Sequence, residues 1–90
     1  MDKKRVKIPT IDMVGTGANI IKLREERGIT VKDLQECLEF NTPQAIYKWQ
    51  HGVSMPSLDS LLILSTVFGV PIDDILVKNY SYDLEIRMSA

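Results

Sequence analysis

The chain has 90 residues, enough for one domain and too few for an extended active-site cleft. Its composition, 44 % apolar and 26 % charged, suits a soluble globular protein; no apolar run reaches the ~18 residues of a membrane span, and the charged N-terminus MDKKRVKIPTID lacks the apolar core of a secretory signal. One cysteine, Cys37, cannot form an internal disulfide, and one histidine, His51, adds little toward a metal site, so a cytoplasmic protein without metal or cofactor is expected.

The net charge of −1 conceals an uneven distribution. Residues 1–52 carry nine Lys/Arg against seven Asp/Glu, and residues 53–90 carry two against five. The imbalance favours an anionic partner for the N-terminal half.

Residues 1–14 read as an extended arm, because Pro9 opposes helix and Val6, Ile8, Ile11 and Met13 suit a strand. Thr16, between Gly15 and Gly17, marks the start of a first helix running to about Arg27, with Ile20, Leu23 and Arg27 on one face and Gly28 just past its end. Thr30 and Asp33 form a capping box that opens a second helix, whose inner face is expected to be Leu34, Cys37 and Leu38. Thr42 as N-cap and Pro43 as first helical residue open a third helix to about His51, stopped by Gly52. Ile46 and Trp49 should point inward there, leaving Gln44, Tyr47, Lys48 and His51 outside.

Ser57 caps a fourth helix, Leu58 to Phe68, in which Leu61, Leu62, Leu64, Ser65 and Phe68 should line the inner side before Gly69 ends it. Pro71 opens a fifth, where Ile72, Ile75 and Leu76 pack inward and Asp73 and Asp74 suit the first turn. From 80 to 88 every even position is apolar (Tyr80, Tyr82, Leu84, Ile86, Met88) and every odd one polar, which predicts a half-buried strand over the tail, 78–90. A lone strand needs a partner, and the N-terminal arm is the other strand-like segment, within one chain or across two.

The second and third helices, joined by a short turn with a scaffold helix behind, make a helix-turn-helix over a domain at about 15–77. In such a unit the outer residues of the second helix meet base edges. Gln44 can bond adenine bidentately, Lys48 can reach guanine or phosphate, Tyr47 can pack on a thymine methyl, and Thr42 suits a phosphate. One His, one Cys and no phosphate-binding Gly loop leave no catalytic constellation, so an enzyme is not expected.

The segments GANIIKLREERGIT, PQAIYKWQHG and MPSLDSLLILSTVFGVPIDDIL resemble the Cro/C1-type (XRE) helix-turn-helix family of bacterial and phage repressors over about residues 15–77. The resemblance implies an all-α, five-helix lambda-repressor-like fold with short terminal strands that could pair as a small sheet. It also implies a transcriptional regulator that binds double-stranded DNA as a homodimer on a pseudo-palindrome, with no small-molecule ligand and no membrane. It places Gln44, Tyr47 and Lys48 against bases and Thr30, Lys32, Thr42, His51 and Ser54 near phosphates. The chain departs from the family pattern at Val31 (often Gln), Gln35 (a small residue), Glu39 (a turn Gly) and Gln50 (often Glu, facing the Arg24 position). The second expectation on the same scaffold is a protein-interaction adaptor, such as an antitoxin or anti-repressor partner.

Overall fold

A computed structural model describes residues 2–89. The chain runs β1 (Lys3–Ile11), α1 (Met13–Glu26), α2 (Val31–Cys37), α3 (Gln44–Gln50), α4 (Leu58–Phe68), α5 (Ile72–Ile75) and β2 (Lys78–Arg87). The five expected helices are present, but all-α describes only the body. The strands are nine and ten residues long, and they pair antiparallel with each other within the one chain.

The helix ends follow local chemistry, with two corrections. α1 begins at Met13 rather than Thr16, because the Asp12 side chain accepts from the Gly15 N–H at 2.8 Å and so caps the helix three residues earlier. Thr16 is instead fully buried, and its hydroxyl accepts from the Val77 N–H at 2.9 Å. At α3 the cap position is Pro43, not Thr42: the first helical bond runs from Tyr47 N–H to the Pro43 carbonyl at 3.1 Å, and no side chain caps this end. The Thr30–Asp33 box and the Ser57 cap form as expected.

Ile20, Leu34, Leu38, Ile46, Trp49, Leu61, Leu64, Phe68 and Ile75 make one core between the helices. Two side chains expected inside, Cys37 and Leu62, lie outside. Cys37 is exposed, because Leu34 and Leu38 already fill the inner face of the seven-residue α2. Leu62 is 60 % exposed and Leu58 74 %, so α4 carries an apolar outer stripe at i, i+4 spacing. No described helix is long and apolar enough to cross a membrane.

The two ends of the body are tied before the strands leave it. Asp12 N–H bonds the Val77 carbonyl at 2.8 Å, and Asn19 donates to the carbonyls of Asp74 and Ile75 at 2.8 and 2.9 Å. β1 and β2 therefore start side by side and continue outward as a ribbon. The register pairs Lys3 with Arg87 through Ile8 with Tyr82, then shifts by one residue between Ile8 and Pro9. Proline has no N–H for the ladder, which suits it to such a bulge. The ribbon projects: the principal extents are 54 × 24 × 23 Å, and the radius of gyration is 16.3 Å, against about 12 Å for a compact chain of this length. The half-buried tail strand predicted by alternation is thus a strand, but beyond Lys78 it is exposed.

Strand pairing also answers the charge asymmetry. Lys3 lies 3.4 Å from Glu85 and Arg5 3.9 Å from Asp83. Part of the basic excess of the N-terminal half therefore faces the acidic tail of the same chain, in exposed pairs worth little stability.

Candidate functional site

Thr30 to Gly52 folds as two short helices held at a fixed angle by the body. α2 starts on a closed capping box: Asp33 N–H donates to Thr30 Oγ1 at 3.0 Å, and Thr30 N–H donates to Asp33 Oδ2 at 2.9 Å. Those bonds stabilise the ionised carboxylate and hold the Asp33 carboxyl below the usual carboxylate range, the Thr30 backbone N–H being the largest cause.

The turn between the helices is unusual in one residue. Glu39 sits at φ 55°, a left-handed conformation that disfavours a side chain. It is fixed from both sides, since Phe40 N–H donates to the Gln35 carbonyl at 3.0 Å and Gln35 Nε2 donates back to the Phe40 carbonyl at 3.2 Å. Gln35 thus has a definite task where a small residue is usual. The Phe40 ring meets Trp49 edge to face at 5.7 Å, which pins the turn against α3.

α3 is seated from below by Ile46 and Trp49, both buried, and by α1. A Cβ at Gly17 would lie 2.2 Å from the Trp49 carbonyl oxygen, so only glycine allows the α1 and α3 backbones to come this close. At the far end Gly52, at φ 71°, lies against the Val14 backbone, where a Cβ would sit 2.8 Å from Val14 Cα. Arg24 Nε donates to Gln50 Oε1 at 3.2 Å, the contact expected of that departure from the family pattern, and Arg24 also donates to the Ile29 carbonyl at 3.0 Å. The orientation of α3 therefore depends on two glycines and one arginine far from its outer face.

On that outer face Gln44, Tyr47, Lys48 and His51 are all exposed, at i, i+3, i+4 and i+7 of one short helix. Tyr47 shows 44 % of its surface. Thr42 is exposed just before α3, its hydroxyl uncommitted to capping, and Thr30 and Lys32 are exposed at the start of α2. Ser54 differs: it is half-buried, and with Val53 it folds back on α3, their N–H groups reaching the Lys48 carbonyl at 3.4 and 2.9 Å.

Charge in the body is distributed informatively. Residues 12–77 hold five Lys/Arg against nine Asp/Glu. Arg24 is committed as above, Arg27 donates to the Phe68 and Leu23 carbonyls, and Lys22 faces Glu26 at 3.9 Å. Lys32 and Lys48 remain, without an ion pair among the described residues, and both lie on the helix-turn-helix. Sequence reasoning singled out both lysines but could not see that the other body cations are occupied. It also missed Gly17 and Gly52 as positioning residues. At Gly17 the available signal was a glycine inside a helix, which costs about 1 kcal/mol against alanine and so calls for a packing reason, whereas Gly52 reads in sequence only as a helix stop.

A helix-turn-helix family model matches residues 20–75. Among solved structures, the restriction-modification controller protein C.AhdI from Aeromonas hydrophila is similar with a TM-score of 0.64 at 20 % identity, over 71 % of this chain and 96 % of that one. The clp gene regulator ClgR from C. glutamicum gives 0.61 at 21 % identity, over 70 % and 80 %. The DNA-binding domain of BldD gives 0.60 at 18 % identity, over 72 % and 93 %. No curated protein sequence matches the chain at a significant level.

Proposed function

The chain belongs to the helix-turn-helix (XRE) family of non-enzymatic, DNA-binding transcription regulators, and we propose that it reads a specific duplex sequence with α3 in the major groove, as a homodimer on a pseudo-palindromic operator. The observation that carries this reading is the coincidence on one unit of an exposed polar helix face and two lysines, Lys32 and Lys48, that have no ion pair among the described residues. Gln44, Tyr47 and Lys48 meet base edges, with Gln44 suited to adenine and Lys48 to guanine or the adjacent phosphate. Thr30, Lys32, Thr42 and His51 meet the backbone on either side, and Ser54 serves through the loop it holds rather than by reaching outward. One such unit covers only a few base pairs, so two copies supply the affinity and specificity a single one lacks. Occupancy of the operator then blocks or recruits polymerase.

The acidic body favours a second reading, a protein-interaction adaptor on the same scaffold, since only a few cations offset phosphate repulsion. Selection from random duplexes with the purified chain, followed by a salt series on the winning site, separates the two. An inverted repeat whose affinity falls with salt and drops by about 1–3 kcal/mol in Gln44→Ala, with specificity relaxed at one base position, supports the DNA reading. No enrichment, or binding indifferent to Gln44→Ala and Lys48→Ala, supports the adaptor.

A further inference from the structure

The β1–β2 ribbon has two unlike faces. The register sets Lys3, Arg5 and Lys7 opposite Arg87, Glu85 and Asp83 on one, and Val6 and Ile8 opposite Leu84 and Tyr82 on the other. Ile86 continues the second face, and so does Met88, whose N–H bonds the Asp2 carbonyl at 2.9 Å. Asp2 and Lys4, of opposite sign, supply the charges at its outer end. No described part of the chain covers this apolar face: Tyr82 is 58 % exposed, Leu84 44 %, Ile86 38 % and Met88 42 %.

We propose that this face is covered by the same face of a second copy, the two ribbons stacking face to face as a small sandwich with about 10 Å between sheets. A two-stranded ribbon is only marginally stable in water without a covering layer, yet this one is nine and ten residues long, and β2 alternates strictly from Tyr80 to Ile86. The face offers about 400 Å² of apolar side chain per copy, a large patch for a monomer, so that two copies with their polar rim reach the ~1,000 Å² of a specific interface. Edge-to-edge association does not replace it. The β1 edge carries Lys3, Lys4, Arg5 and Lys7 and the N–H-less Pro9, which oppose pairing with another β1. Pairing through β2 leaves the apolar face as exposed as before. The face is self-complementary in the sense a two-fold contact needs, apolar along its length with one charge of each sign at its end. This inference rests on the homodimer of the proposed function: a monomer removes both, a dimer indifferent to Leu84→Asp removes only this one, and failure to select a DNA site leaves this one standing.

Sedimentation velocity of the full chain, from about 1 to 100 µM, tests it. Twice the 10.2 kDa monomer mass at the upper concentrations is expected. Leu84→Asp, at the centre of the face, is expected to weaken the dimer by more than about 30-fold, as for a residue at the heart of an interface. Glu85→Gln, on the opposite face, leaves it unchanged. A monomer throughout the range overturns the proposal. So does a dimer that survives Leu84→Asp but is lost in Leu62→Asp, which assigns the contact to the outer stripe of α4. Circular dichroism on each variant registers the helical body independently of the ribbon.

Discussion

Gly17→Ala gives the sharpest test of how α3 is held. Two effects oppose each other at this position. Alanine in a helix interior gains about 1 kcal/mol over glycine. Against that, the new methyl would lie 2.2 Å from the Trp49 carbonyl oxygen and 2.8 Å from that of Gln50. The first contact is more than about 1 Å short of an ordinary van der Waals separation, and the obstacle is backbone, which cannot rotate away. Overpacking of this kind costs about 1–3 kcal/mol, and a backbone clash belongs at or above the upper end. The net loss is about 2 kcal/mol, equivalent to a fall in Tm of about 8–16 °C in a domain this small. Thermal and urea unfolding followed by far-UV circular dichroism measure it. Ala18→Gly, on the exposed neighbour in the same helix, calibrates propensity alone, at about 1 kcal/mol destabilising. DNA affinity measured where Gly17→Ala is still folded adds a second readout: specific binding should fall more than non-specific binding, because base contacts depend on the placement of α3 and phosphate attraction hardly does. A variant as stable as the parent, or more so, would refute the close α1–α3 approach and with it this account of how the interface is positioned.

Glu39→Gly should stabilise the protein by about 1 kcal/mol, because it relieves a left-handed side-chain residue in the helix-turn-helix turn, as read by urea titration. It also removes one acidic charge beside the proposed interface, so DNA affinity should rise most at low salt. Lys48→Ala should lower the slope of log affinity against log salt by about one unit if this side chain meets a phosphate, and an unchanged slope assigns it to a base edge alone. Asp33→Asn should lose its stability deficit in acid. The Asp33 carboxyl is held below its ordinary range by the bonds from Thr30, so its contribution is present above the unfolded value near pH 4 and disappears as pH falls through the folded value. Melting curves of the two proteins should therefore differ at neutral pH and converge in acid.

The helical body was legible in the sequence because its signals are local. The Thr30–Asp33 box, the Ser57 cap, the glycines after α1, α3 and α4 and the Ile46–Trp49 spacing each act over a few residues, and hydrogen bonds between near neighbours decide them. The outward set Gln44, Tyr47, Lys48 and His51 followed from the same periodicity. Errors arose where a local signal met a competing one. Thr42 ahead of Pro43 read as a cap, but the helix starts one residue later; Thr16 between two glycines read as a helix start, but Asp12 already supplied the cap.

Tertiary structure decided what periodicity cannot express. Alternation in the tail established that β2 has two faces, not what lies over them, because a strand's pattern records only the need for cover and not its source. Leu62 and Cys37 had the apolar character of core residues, yet their exposure depends on which turn of the helix the neighbouring elements reach. The direction of the ribbon follows from one contact across 65 residues of chain, Asp12 N–H to the Val77 carbonyl, together with the Thr16 hydroxyl beside it. The tilt of α3 follows from a backbone approach at Gly17 that only the assembled fold creates. Local chemistry thus determined which helices form and which residues α3 turns outward. Contacts between distant segments, which no short window of sequence contains, determined how that helix is presented and where the two strands lead.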